Sequence, residues 1–136
     1  MAKADTATRL LDAAQKLVQR RGFNAFSYKD LAEAVGIRTA SIHYHFQTKG
    51  ELGQALMVRY LDGLKQALQA SDAKGGANEA RVRDFIALYR ATHKQRAICL
   101  CGSMATDLDT LPRELRTEVA AYLDHSEGWV TETIQA

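Results

Sequence analysis

The chain has 136 residues, 46% hydrophobic and 25% charged, with a net charge of +2, one proline and two cysteines. That length suits one continuous core or two small helical units, and no apolar run is long enough to span a bilayer. The opening MAKADTATRL has no apolar signal region, and Cys99 and Cys101 stand too close together to staple a fold, so the expected setting is reducing and cytoplasmic.

A single proline and no β-branched alternation predict an all-α protein. The first helix is expected from Thr6 to Arg21, with Leu10, Leu11, Ala14, Leu17 and Val18 on one stripe and Gly22 closing it. Phe23 and Phe26 supply aromatic bulk for a three-helix core. Ser27 stands three residues before Asp30, an N-cap with an acid in the first turn, and Leu31, Ala32 and Val35 follow at helical spacing. Gly36 stops this second helix. The chain restarts after Ile37, with Ala40, Ile42 and Phe46 expected inward and Arg38, Thr39, His43, Tyr44 and His45 outward. Thr48 and Glu51 form an S/T-x-x-E box, so a fourth helix is expected from Lys49 to about Ala70, carrying Leu52, Leu56, Leu64 and Leu68. Gly53 and Gly63 lie within it and are the positions at which it would bend.

Two short helices joined by a Gly-containing turn and followed by a third capped helix outline a helix-turn-helix, and the outward residues are of groove-reading and phosphate-reading types. DLAEAVGI (30–37) and SIHYHFQTKGEL (41–52) also resemble the paired N-terminal motifs of the TetR family of bacterial transcriptional repressors. The resemblance is specific over the first half of the chain and only an outline over the second. It departs from the family pattern at Arg38, where a small hydroxyl residue is common, and at His43, where Tyr is common.

The resemblance implies a head over residues 5–66 and a helical effector-binding and dimerisation region over 67–136. The third helix would lie in the major groove of a palindromic double-stranded DNA operator, with Arg38, Thr39 and Tyr44 at base edges. Ser27, Tyr28, His43, His45 and Lys49 would hold phosphates on either side, helped by the first amides of the second and fourth helices. His43 and His45 are two apart on a helix and point away from each other, so they are not expected to bind metal. The family's usual habit is a homodimer released from DNA by a small apolar or electrophilic effector, and no cofactor is expected. Two further long helices usually make the dimer in this family, and the C-terminus here is short of them.

SDAKGGAN (71–78) is the one Gly-rich break and reads as a helix connection. Asn78 is expected to cap a helix with Val82, Phe85, Ile86 and Tyr89 on one stripe. A shorter pattern runs through Ile98, Cys101, Met104, Ala105 and Leu108. Thr110 and Pro112 mark a last helix carrying Leu115, Val119, Tyr122, Leu123, Trp129 and Val130 towards Ile134. Under the resemblance, Phe85, Tyr89, Met104, Tyr122 and Trp129 become candidates for an effector pocket, though each also reads as plain core. Cys99 and Cys101 become candidate redox-sensing thiols at a helix start, against the plainer reading of small buried hydrophobes.

Residues 1–50 hold eight cations (Lys3, Arg9, Lys16, Arg20, Arg21, Lys29, Arg38 and Lys49) against four acids, while the remainder holds ten against twelve. A basic head on a mildly acidic body fits a phosphate-binding module joined to one that does not touch DNA. No G-x-S-x-G elbow, Gly-rich phosphate loop or H-E-x-x-H is present, so an enzyme is not expected. The competing class is a helical dimerisation or adaptor module without DNA binding.

Overall fold

The computed structural model describes residues 5–136, so Lys3 lies outside the described part. Among the described residues the chain forms seven α-helices and two 3-10 turns, with no strand. Helix α1 spans Thr6–Arg21, capped by Asp5, whose carboxylate accepts the Thr8 amide at 2.7 Å. Gly22 ends it at φ 89°, donating its N–H to the Val18 carbonyl. The 3-10 turn Phe23–Ala25 then brings Phe23 and Phe26 into the core edge to face, 6.0 Å apart.

Helix α2 spans Tyr28–Val35 and starts in a reciprocal capping box. The Asp30 amide donates to Ser27 Oγ, and the Asp30 carboxylate accepts the Ser27 amide at 2.8 Å. Gly36 ends α2 in the left-handed conformation, at φ 79° and ψ 37°. Helix α3 spans Thr39–His45, and Ile42 is its one buried side chain. Ala40, expected inward, is exposed: on so short a helix a single residue fills the slot against α1 and α2.

Helix α4, Lys49–Ala73, is 25 residues or about 37 Å long. Thr48 caps it by accepting the Glu51 amide, but the Glu51 carboxylate reaches past the cap to the Gln47 amide at 3.0 Å. Gly53 faces a crowded neighbourhood. A Cβ there would stand 2.7 Å from Leu115 Cδ2 and 2.9 Å from the Phe23 ring, so the glycine marks a close helix approach. Gly63 has open space around it.

Helix α5 spans Asn78–Lys94, α6 Leu100–Ala105 and α7 Arg113–Gln135, with a 3-10 turn at Leu108–Thr110 before the last. Ala77, not Asn78, holds the cap position of α5, and the Asn78 amide group donates instead to the Ala136 carbonyl at 2.9 Å. No side chain of α5 is fully buried. Its half-buried face runs through Phe85, Leu88, Tyr89 and Thr92, which rotates Ile86 out to 44% exposure. On α7 the buried positions are Leu115, Val119, Tyr122, Trp129 and Thr133, leaving Leu123 and Ile134 outside.

Helix α7 packs along α4 and against α5 and α6, and α6 packs against α1. Between α5 and α6 the chain turns through Arg96 at φ 55°, and the Ile98 amide then donates to the Gln19 carbonyl of α1 at 3.2 Å. One hydrophobic cluster runs unbroken from Leu10 and Phe23 through Leu56 and Leu115 to Trp129. Residues before and after position 66 share it, so the core is continuous across the boundary that the motifs imply.

Candidate nucleic-acid interface and effector cavity

The outer face of α3 carries Arg38, Thr39, Ala40, Ser41, Tyr44 and His45, all exposed. Tyr44 is 85% exposed, an unusual position for an aromatic ring, and stands edge to face on His45 with centroids 5.1 Å apart. A shallow cleft of about 470 Å³ opens between this face and the start of α1 at Thr6. Ala40, Ser41 and Thr6 therefore join the expected Arg38, Thr39 and Tyr44. Ala40 was hidden by its assignment to the core, and Thr6 and Ser41 carry no local signal that marks them in the sequence.

The expected phosphate-directed residues divide in two. Tyr28 Oη donates to the Phe46 carbonyl at 2.8 Å, and burial followed by the nearby Glu51 carboxylate pushes the phenol up to about 12. Ser27 Oγ is engaged with the Asp30 carboxylate at 3.1 Å. Lys49 turns inward: its ammonium donates to the carbonyls of Phe23 and Phe26 and lies 4.6 Å and 4.2 Å from their ring centroids. Burial lowers its pKa against the pull of Asp107 and Asp30. The expectation that Lys49 reaches outward to phosphate is thus corrected, because the carbonyls at the end of the 3-10 turn need a donor and this ammonium is within reach. His43 and His45 remain exposed. His43 Nδ1 lies 3.1 Å from the Gln47 carbonyl, which fixes its proton on that nitrogen and leaves Nε2 to solvent.

In the second half, a cavity of about 340 Å³ opens between α4, α5, α7 and the middle of α1. Tyr60 and Tyr122 form one wall, stacked with centroids 5.2 Å apart and planes 26° apart. Gly63, Leu64, Ala67 and Leu88 line the rest, with Thr92, Gln15 and Arg59 as its polar members. Tyr89 Oη meets Tyr122 Oη at 3.4 Å behind the wall. Burial pushes the Tyr60 phenol up to about 12 and that of Tyr122 further still. Among the described residues no group of three or more His, Cys, Asp or Glu side chains is placed to hold a metal ion.

The model of the bacterial regulatory proteins of the tetR family matches residues 10–56. A TetR transcriptional regulator from Legionella pneumophila superposes with a TM-score of 0.93 and 30% identity, over 99% of this chain and 74% of that one. The chain belongs to the TetR family. A second TetR-family regulator, from Agrobacterium tumefaciens, gives 0.90 at 28% identity, over 95% and 69% of the two chains. Among curated relatives, the repressor KstR2 of Rhodococcus jostii is 36% identical over 62 residues, covering 46% of this chain and 30% of its own. The probable regulator YttP of Bacillus subtilis is 25% identical over 118 residues, covering 83% and 56%. The chain thus spans about a third of the first of these relatives and a little more than half of the second.

Within this TetR-family fold the five pocket candidates separate. Tyr122 lines the cavity and Tyr89 supports it. Met104 belongs to α6 and is fully buried in the core. Phe85 and Trp129 stack on each other 5.9 Å apart at the far end of the bundle, where Trp129 Nε1 donates to both Asp72 oxygens at 3.2 Å. Tyr60 and Thr92 were missed because a tyrosine or threonine at i, i+4 spacing is indistinguishable from core in the sequence. Cys101 is buried beside Val119 and burial pushes its thiol up to about 12, which fits the plainer reading of a small buried hydrophobe. Cys99 is half-buried and caps α6, its Sγ accepting the Gly102 amide at 3.1 Å. Among the described residues no helix is long and apolar enough to cross a membrane.

Proposed function

We propose that this chain is a sequence-specific, cytoplasmic DNA-binding transcriptional regulator of the repressor type. Two copies read a palindromic operator through α3, and a small molecule in the cavity beside Gly63 releases it. The observation that carries the reading is the α3 face: a ring as exposed as Tyr44 beside Arg38, Thr39 and Ser41, on a helix pinned from behind by Ile42 and Tyr28. Arg38 offers guanine a forked donor pair, and the methyl of Ala40 suits thymine. His43, His45, Lys29 and the first amides of α2 and α4 are the phosphate-directed groups, with Ser27, Tyr28 and Lys49 supporting them from inside. Residues 5–66 supply the DNA contacts, residues 67–136 complete the effector cavity that α1 and α4 begin and supply part of the dimer, and Cys99 is the one thiol open to an electrophilic effector.

Selection from a random duplex pool tests the reading. A palindrome with half-sites in successive major grooves, on the order of 34 Å apart or a multiple of that, is expected. Arg38→Ala should cost roughly 1–3 kcal/mol on the selected site and relax one base pair per half-site. Equal losses on selected and random DNA would make Arg38 a phosphate contact, and recovery of no common sequence would refute operator reading.

A further inference from the structure

Arg59 is the one charged side chain lining the cavity, and the lining holds no acid. Its guanidinium is already divided between two residues of α1: one terminal nitrogen donates to Asp12 at 2.7 Å, the other to Gln15 Oε1 at 2.9 Å. Both members of the ion pair keep contact with solvent, 34% exposed at Arg59 and 59% at Asp12, so the pair is readily exchanged for another carboxylate. The same cavity is lined by the stacked pair of Tyr60 and Tyr122 and by Leu88, an aromatic and apolar surface beside the cation. Gly63 leaves the floor open, since a Cβ there would meet no atom within 4 Å. At about 340 Å³ the cavity is near the small end for ligand sites, which run from about 300 to 1,000 Å³.

From this arrangement we propose that the effector is a small aromatic carboxylate, packed against the stacked pair of Tyr60 and Tyr122 with its carboxylate on Arg59 in place of Asp12. The inference rests on the cavity being the effector site and adds the ligand's charge and the route of its signal. A guanidinium presents a planar fork that matches a carboxylate, and the same nitrogen cannot serve both Asp12 and the ligand at full strength. Ligand binding therefore competes with the contact between α1 of the DNA-binding head and α4 of the cavity wall. A ligand shifts an equilibrium only through such differential contact, and here the favoured state is the one in which α1 is no longer held by Arg59. Gln15, which both lines the cavity and accepts from Arg59, moves with α1 in the same exchange.

Calorimetric titration of the full chain with benzoate and its neutral analogue benzamide tests this. Benzoate should bind about tenfold tighter or more, the amount set by one charge-assisted hydrogen-bond pair. Arg59→Gln should erase the difference while leaving benzamide unchanged. Asp12→Asn keeps the arginine and removes its competitor, so it should tighten benzoate several-fold and leave benzamide alone. Equal binding of the two compounds, or no gain for benzoate in Asp12→Asn, would overturn the charge selection. If that equal binding is abolished by Gly63→Leu, the cavity reading survives without the proposal. If neither compound binds the wild-type chain, both fall.

Discussion

Tyr28 Oη donates to the carbonyl of Phe46 at 2.8 Å, tying the first residue of α2 to the residue that ends the recognition helix. The Tyr28 ring also packs against His43, with centroids 4.8 Å apart, so one side chain holds the far end of α3 twice. Tyr28→Phe keeps the ring contact and deletes the hydrogen bond. It should cost about 0.5–1.5 kcal/mol in chemical denaturation and weaken operator binding without changing which bases are preferred. A shift in base preference would show that Tyr28 touches DNA directly.

Lys49 is expected to behave as a core residue. Lys49→Ala leaves two half-buried carbonyls without their donor and removes the packing on Phe23 and Phe26, a loss of about 1–3 kcal/mol in stability. Because its ammonium faces inward, the dependence of DNA affinity on salt should keep its wild-type slope. A slope flatter by about one unit would instead mark Lys49 as a phosphate contact.

The two glycines of α4 should respond in opposite directions to the same change. Gly53→Ala forces a methyl against Leu115 and the Phe23 ring, both buried, and overpacking of this kind costs about 1–3 kcal/mol, more than the helix gains from alanine. Gly63→Ala meets nothing and should stabilise by up to about 1 kcal/mol. Denaturant midpoints of the two variants decide the matter. Gly63→Ala also narrows the cavity floor, so it should raise the effector concentration needed for release.

Acid should loosen the far end of the bundle first. Asp72 accepts from Arg81 and from Trp129 Nε1, and these hydrogen bonds, that from Arg81 foremost, lower its carboxyl below the ordinary value. A depressed folded pKa means that the contribution is present above the unfolded value, near 3.9, and is lost as pH falls through the folded one. Trp129 is the one tryptophan in the chain, so its emission reports on the contact. The emission should shift below about pH 4, and Asp72→Asn should flatten that titration at all pH values.

Much of the head could be read from its sequence because caps and glycines are local signals. Thr6–Arg21 follows from its stripe and Gly22, and Ser27 with Asp30 marks the start of α2 to the residue. The third helix was legible in position but not in facing, since seven residues give too few apolar points to fix its rotation, and Ala40 came out exposed. Lys49 misled because a cation at a helix start looks the same whether it points to solvent or to the carbonyls of a preceding turn. In the second half, Val82, Phe85, Ile86 and Tyr89 make a regular stripe, yet on the packed face of α5 Leu88 and Thr92 join Phe85 and Tyr89 while Ile86 turns out. The cavity was least legible: Gln15, Arg59 and Tyr60 come together only through the packing of α1 on α4, and no local pattern encodes that.

The close approach at Gly53 also limits how this molecule can be taken apart. Phe23 from the turn after α1 and Leu115 from α7 both press on the same point of α4, and the Ile98 amide is held by the end of α1. A fragment ending near residue 66 would lay bare the apolar seat that Leu100, Leu111 and Leu115 cover. The DNA-reading part is therefore no transplantable cassette. A chimera that borrows its specificity has to carry the α6 and α7 contacts along with it, and intact wild-type chain should melt in one transition seen alike by Trp129 emission and by helix content.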